Sequence, residues 1–178
     1  MRPTPSSGSA RVVATVAMLV AVGAILGILE TALVPALPIP GVRLGLANLA
    51  VVLALPLVGR AAALRVSVLR ILIVAIATGA LGGPAFAMAL GGAVASWAVM
   101  AWLAGRRSVS PIGWSVGGAA AHVTAQLLVA CVLTGSAVPA LLAPFALLLA
   151  LGCGLVIGYA SRLLLSRLPL VYPEFGTR

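Results

Sequence analysis

Long apolar runs, separated by short breaks rich in glycine, proline and arginine, make up most of the chain. A helix needs about 20 mostly apolar residues to cross a bilayer, and the runs predict six such helices. We expect them at residues 12–33, 44–59, 61–80, 84–105, 111–135 and 139–165. The second run is short and contains Pro56. The pattern therefore predicts an all-α integral membrane bundle of six transmembrane helices.

Several prolines fall where a helix tolerates them. Pro84, Pro111 and Pro139 each lie in the predicted first turn of a helix, where the missing N–H would have no partner in any case. Pro144 falls inside the sixth predicted helix and is expected to kink it.

The segments outside these helices divide the chain. Residues 1–11 are polar and are predicted to form a disordered cytoplasmic N-terminus, followed by a single six-helix domain at 12–167 and a cytoplasmic tail at 168–178. The run 12–29 is long for the apolar region of a signal peptide and lacks a convincing cleavage site, so we expect it to be retained as the first helix.

Composition agrees with this reading. Hydrophobic residues make up 63% of the chain and charged residues 7%, against about 25% charged in soluble proteins. The sequence therefore predicts a multi-pass protein of the cell membrane, in contact with the lipid bilayer. The eleven basic residues are all arginines and punctuate the apolar runs, which argues against nucleic acid as a partner despite the net charge of +9.

The arginines also predict an orientation. With six helices, one side of the membrane carries Arg2, Arg11, Arg60, Arg106, Arg107, Arg162, Arg167 and Arg178. The opposite side carries only Arg43. Because arginine is enriched in cytoplasmic loops, both termini are predicted to be cytoplasmic.

A few polar residues interrupt the predicted helices. Glu30 lies near the outer end of the first, Arg43 begins the second from the outside, and Asn48 follows about 7 Å further in at the helical rise. Arg70 lies about 13 Å from the cytoplasmic start of the third helix, near the middle of the membrane.

The fifth helix adds His122 and Gln126, which are four residues apart and so share one face. Charged groups in the hydrocarbon region normally face a bundle interior or a water-filled cavity. We therefore expect a ligand pocket, open to the outside, lined by Glu30, Arg43, Asn48, Arg70, His122 and Gln126. A structural ion pair of Glu30 with Arg43 or Arg70, with His122 hydrogen-bonded in the core, is the alternative.

Helix direction favours an anionic ligand. If the N-terminus is inside, the second, fourth and sixth helices begin outside and turn their positive ends to that face. The turn at 82–84 and Arg43 add to this preference for a carboxylate-bearing or other anion.

Small residues form a stripe on the first helix at Ala14, Ala17, Ala21 and Ala24. Small side chains let helices approach closely. The stripe predicts either the docking of a partner subunit or packing within the bundle, and the spacing favours neither.

The chain lacks the motifs of several enzymes. It has no nucleotide-binding glycine motif, so ATP-driven work would need another polypeptide. It has no aspartate, and its two glutamates are isolated, whereas prenyl transfer needs clustered carboxylates to hold Mg²⁺ on a diphosphate. We therefore predict no catalytic residues, no metal and no cofactor.

Four stretches resemble the Gx transporter family, whose members are often labelled heptaprenyl diphosphate synthase component I: "LPIPGVRLGLANL", "SVLRILI", "GGPAFAMALGGAVAS" and "SPIGWSVGGAAAHVTAQLLVA". The resemblance covers residues 25 to 165 approximately. It implies a likeness to the S components of energy-coupling-factor vitamin transporters, which are six-helix proteins with cytoplasmic termini. Such proteins bind a small molecule in their outer half and join a coupling subunit and two ATPases, partly through small residues on helix one.

The resemblance implies that the six predicted pocket residues match polar positions of the family's motifs. These residues are Glu30, Arg43, Asn48, Arg70, His122 and Gln126. It implies a substrate-binding subunit for uptake of a vitamin-like, isoprenoid, quinone-related or flavin molecule. The alternative is an accessory membrane protein of quinone-, isoprenoid- or flavin-linked extracellular electron transfer, which transports nothing. A third reading, a subunit of a prenyl synthase, conflicts with the missing carboxylates.

Overall fold

The computed structural model describes residues 5–33, 45–106 and 108–171, with side chains at 10–32, 45–106 and 108–167. These residues form helices and turns and contain no β-strand. The prediction of an all-α fold with six α-helices is confirmed. The helices are α1 (Pro5–Leu33), α2 (Asn48–Val58), α3 (Arg60–Ala77), α4 (Pro84–Ala104), α5 (Pro111–Thr134) and α6 (Ala143–Val171), with a 3₁₀ helix at Val138–Leu142.

Four helical segments within the described residues are long and apolar enough to cross a bilayer: Ala10–Ala32, Pro84–Ala104, Pro111–Thr134 and Val138–Arg167. Their outward faces carry many exposed large apolar side chains, as a lipid-facing surface does. The chain is therefore a membrane protein.

The other two helices differ from the predicted spans. α2 has 11 residues and is about 16 Å long at 1.5 Å per residue, roughly half of the hydrocarbon core. The prediction of a spanning helix at 44–59 is therefore wrong in length. α3 has 18 residues, which is long enough for a candidate span, but it carries three arginines and is therefore less apolar than the four long segments.

The ends of the chain are more helical than predicted. α1 begins at Pro5, so the first helix includes residues 5–11 and starts seven residues earlier than the predicted start at residue 12. α6 extends to Val171, past the predicted end at 165 and into the predicted tail. Pro144 is the second residue of α6, where a proline costs no hydrogen bond, so the predicted kink inside the sixth helix is wrong.

The short helix α2 lies at the centre of the fold. It packs against each of the other five α-helices. Ala50, Val51, Val52 and Ala54 are completely buried and form one core with residues of α1, α3 and α4. A single residue, Gly59, joins α2 to α3 with a φ of +83°, a conformation that is open essentially to glycine alone. This link reverses the chain sharply, so α3 packs directly against α2.

Glycines bring α4, α5 and α6 close together. A Cβ atom on Gly118 of α5 would lie 2.5 Å from Met100 Cγ of α4. A Cβ atom on Gly158 of α6 would lie 2.7 Å from the Cα of Ile112 in α5. Both distances are far inside van der Waals contact, so only glycine permits these approaches, as at many helix interfaces in membranes.

Candidate functional site

Glu30, in the last turn of α1, is fixed to the chain that leads into α2. Its Oε1 accepts a hydrogen bond from the backbone N–H of Gly45. Gly45 has a φ of +72°, in the left-handed region that suits glycine, and its carbonyl accepts the N–H of Asn48 at 2.8 Å. The carboxylate therefore lies beside the positive N-terminal end of α2, where a negative charge is favoured.

Asn48 is the first residue of α2, whereas the predicted helix at 44–59 placed it about one turn inside. The depth of about 7 Å was predicted relative to Arg43, which lies outside the described residues. Its Oδ1 accepts a hydrogen bond of 2.9 Å from Nη2 of Arg70, which comes from the middle of α3. Both side chains are buried. Hydrogen bonds to charged groups contribute about 1.5–3 kcal/mol, and this one ties α3 to the N-terminus of α2.

The aliphatic part of Arg70 lies against a glycine of α1. A Cβ atom on Gly23 would be 3.0 Å from Arg70 Cδ and 3.2 Å from Ala50 Cβ, tighter than ordinary contact. Because Gly23 has no side chain, the methylene groups of Arg70 can pack against α1 while its guanidinium reaches Asn48.

His122 and Gln126 lie one turn apart in the middle of α5, and both are buried. They pack against Gly92 of α4: a Cβ atom there would be 2.9 Å from Gln126 Cγ and 2.9 Å from His122 Cε1. His122 and Gln126 therefore lie on one face of α5, as predicted, and this face packs against α4.

Glu30, Asn48, Arg70 and His122 line one cavity of about 210 Å³. Their exposed fractions are only 4, 5, 6 and 8%, respectively. The cavity lies among α1, α2, α3, α4 and α5, and its remaining walls are mostly apolar or small: Gly27, Thr31, Gly45, Ala47, Ile71, Val74, Ala75, Thr78, Ala80, Ala85, Phe86 and Ala89. The site thus pairs a charged, hydrogen-bonding wall with an apolar wall that includes an aromatic ring.

The other predicted site residues are placed differently. Arg43 lies outside the described residues. Gln126 is beside His122 but is not among the cavity-lining residues, so its ligand-binding role remains a prediction. In the alanine stripe, Ala14, Ala17 and Ala21 are exposed while Ala24 is buried. The first three are available to lipid or to a partner, and only the last serves packing within the bundle.

Among the lining residues that were not predicted, three have a polar or aromatic side chain: Thr31, Thr78 and Phe86. The hydroxyls of Thr31 and Thr78 each donate to the carbonyl four residues earlier, both at 2.8 Å, and Phe86 supplies the ring. A threonine or phenylalanine is unremarkable within an apolar helix, because the hydroxyl can satisfy itself on its own backbone. The sequence carried no signal that would single these residues out.

Long apolar helices packed around a buried, partly charged cavity define a helical membrane protein with an internal cavity. The chain belongs to the heptaprenyl diphosphate synthase component I family, whose model matches residues 19–164 and so includes every described polar residue of the cavity. No curated protein and no solved structure matches the chain. Among the described residues, no three His, Cys, Asp or Glu side chains are grouped so that they could hold a metal ion.

Proposed function

We propose that this protein is a membrane-embedded, non-enzymatic substrate-binding subunit, similar to the S components of energy-coupling-factor transporters. It would capture a small molecule in the cavity at the N-terminal end of α2. The observation that carries this proposal is the convergence of Glu30, Asn48, Arg70 and His122 on one cavity inside an apolar bundle.

The energetic argument concerns the two charged residues. Arg70 lies in the middle of α3, and a charged side chain at the centre of a membrane helix costs about 2.5–3.5 kcal/mol on insertion scales. Glu30, in the last turn of α1, is nearer a helix end but is also buried. Replacing buried ion-pairing groups with apolar residues of similar size is often neutral or stabilising. Glu30 and Arg70 therefore need a reason beyond stability, and binding of a polar ligand group supplies one.

The walls of the cavity suggest the character of the ligand. Arg70 favours a carboxylate or another anionic group, while Glu30, whose own carboxylate lies at the positive end of α2, offers a hydrogen-bond acceptor close by. Phe86 and Ile71 form an apolar wall for a ring or a short hydrocarbon portion. A small amphipathic molecule, vitamin-like or related to a quinone or isoprenoid precursor, has this combination of groups.

The position of the arginines supports the orientation that we propose. Arg60, at the start of α3, and Arg106, after the end of α4, lie at the helix ends opposite to those that border the cavity. Under the positive-inside rule the arginine end is cytoplasmic, both termini are inside, and the cavity faces the outer half of the membrane. Reporter fusions at each terminus and in the turn at 79–83 test this orientation.

Transport would need energy from other chains. The sequence has no nucleotide-binding motif, so we propose a coupling subunit and ATPases in trans. The exposed alanines of α1, Ala14, Ala17 and Ala21, are the proposed contact for the coupling subunit, because small residues permit close helix packing.

The decisive experiment is mass spectrometry of small molecules extracted from protein purified in a mild detergent. We expect wild type to retain a defined compound, and Asn48→Ala, Arg70→Met and Arg43→Ala to lose it. Ser161→Ala is the matched control, since Ser161 is buried on α6 and does not line the cavity. Retention that is equal in wild type and the first two variants would end the proposal.

A second candidate function comes from the family description, which names a component of heptaprenyl diphosphate synthase. The protein would then be an accessory membrane subunit of an isoprenoid-forming assembly. Reconstitution of a soluble prenyl synthase with and without this protein in vesicles separates the two: a synthase whose activity requires the membrane protein would favour the second candidate.

A further inference from the structure

Gly92 lies on the face of α4 that borders the cavity. Ala85 and Ala89, on the same helical face, are lining residues, and Gly92 is the next position on that face. Gly92 is itself buried and packs against α5 at His122 and Gln126.

Any side chain at this position would collide with α5. A Cβ atom on Gly92 would lie 2.9 Å from His122 Cε1, 3.0 Å from His122 Nδ1 and 2.9 Å from Gln126 Cγ. Distances below about 3 Å are not tolerated in packed interiors, so the imidazole, the Gln126 side chain or the helices themselves would have to shift. His122 also borders the cavity, so a ring displaced by a new side chain has open space on that side.

We infer that Gly92 is a positioning residue of the cavity: its missing side chain lets the His122 imidazole lie back against α4, and this sets how much of the cavity a ligand can occupy. The inference builds on the proposed function, because it treats the cavity as the binding site. A methyl group at position 92 would move the imidazole into the space that the ligand would occupy.

The chain contains a matched control on the same interface. Gly91 also packs against α5, and a Cβ atom there would lie 2.9 Å from Val129 Cγ2, as tight as the contacts at Gly92. Val129 does not line the cavity. Gly91→Ala therefore imposes a similar strain on the α4–α5 contact without touching His122.

His122 is the only histidine of the chain, so its ring can be observed without ambiguity. We would label the protein with histidine that carries ¹³C at Cε1 and record its single ring resonance in detergent, without added ligand. The rate of acylation of the imidazole by diethyl pyrocarbonate gives a second measure, since a ring that has moved into the cavity is more accessible.

We expect Gly92→Ala to shift the Cε1 resonance and to speed acylation, while Gly91→Ala leaves both at wild-type values. An unchanged resonance in Gly92→Ala, or equal changes in both variants, would overturn the inference. These readouts need no ligand, so they can fail or succeed independently of the retention experiment that tests the proposed function.

If Gly92→Ala does not fold, the collision itself can be tested. Adding His122→Ala removes the ring that the new methyl group meets and should restore part of the lost folded yield. The same His122→Ala change should not rescue Gly91→Ala. Coupling between contacting residues appears as such non-additivity, and a lack of rescue for Gly92→Ala would overturn the inference.

Discussion

The hydrogen bond from Arg70 to Asn48 allows a quantitative prediction about Asn48→Ala. The bond is 2.9 Å long and both side chains are buried, so in the variant the guanidinium loses this acceptor. Losing a hydrogen bond to a charged group costs about 1.5–3 kcal/mol. For a protein of this size, each kcal/mol lowers the melting temperature by about 2–4 °C. We therefore expect a drop of roughly 3–12 °C.

Thermal unfolding in detergent, followed by intrinsic tryptophan fluorescence, measures this drop. Ser161→Ala is the comparison, because it removes a neutral hydrogen bond of 2.8 Å from a fully buried hydroxyl to Ile157. Such bonds contribute about 0.5–1.5 kcal/mol. A double-mutant cycle with Arg70→Met isolates the pairwise part: Asn48→Ala should cost much less once the guanidinium is gone. Equal costs in both backgrounds would refute the reasoning.

Three further predictions concern stability in the same assay. Gly23→Ala should lower the free energy of unfolding by about 1–3 kcal/mol, because its Cβ would lie 3.0 Å from Arg70 Cδ. Gly152→Ala is the control, because its Cβ would meet no atom of the described residues within 4 Å, and it should leave the free energy of unfolding unchanged. A Gly23→Ala variant as stable as Gly152→Ala would contradict this. Gly59→Ala should lower the free energy of unfolding by about 1–3 kcal/mol from its φ of +83° alone, since no atom of the described residues lies within 4 Å of its Cβ position. An unchanged melting temperature would count against that strain. Glu30→Gln keeps an acceptor but not the charge, so it should cost about 1 kcal/mol, and a stabilised variant would show that the carboxylate is not favoured there.

The polar residues of the cavity could be predicted because they are out of place in apolar helices. Glu30, Arg70 and His122 each lie in a run where a charge or an imidazole is costly, so their convergence follows from the rule that such groups avoid lipid. The apolar part of the site could not be predicted in this way. Phe86 and Ile71 resemble every other apolar side chain of the chain until the packing of α3 against α4 is known.

The bounds of the helices were predicted less well, for local reasons. The residues from Gly45 to Ala47 are apolar enough to continue the second run, yet Gly45 takes a positive φ and α2 starts only at Asn48. Val138–Leu142 form a 3₁₀ helix, so the α-helix starts at Ala143 and Pro144 falls in its first turn. The apolar pattern of a segment indicates its hydrophobicity, but it does not indicate the backbone dihedral angles at which a helix begins or ends.

The central position of α2 has a consequence for mutational tolerance. The outer helices can accept a larger apolar residue on their outward faces by displacing acyl chains, which are fluid. Ala50 and Ala54 have no such outlet, because both are completely buried where α2 packs against the neighbouring helices. In a saturation screen for folded protein, these two alanines should accept glycine or serine at most, whereas Leu148 and Val156, on the outward face of α6, should accept most apolar residues.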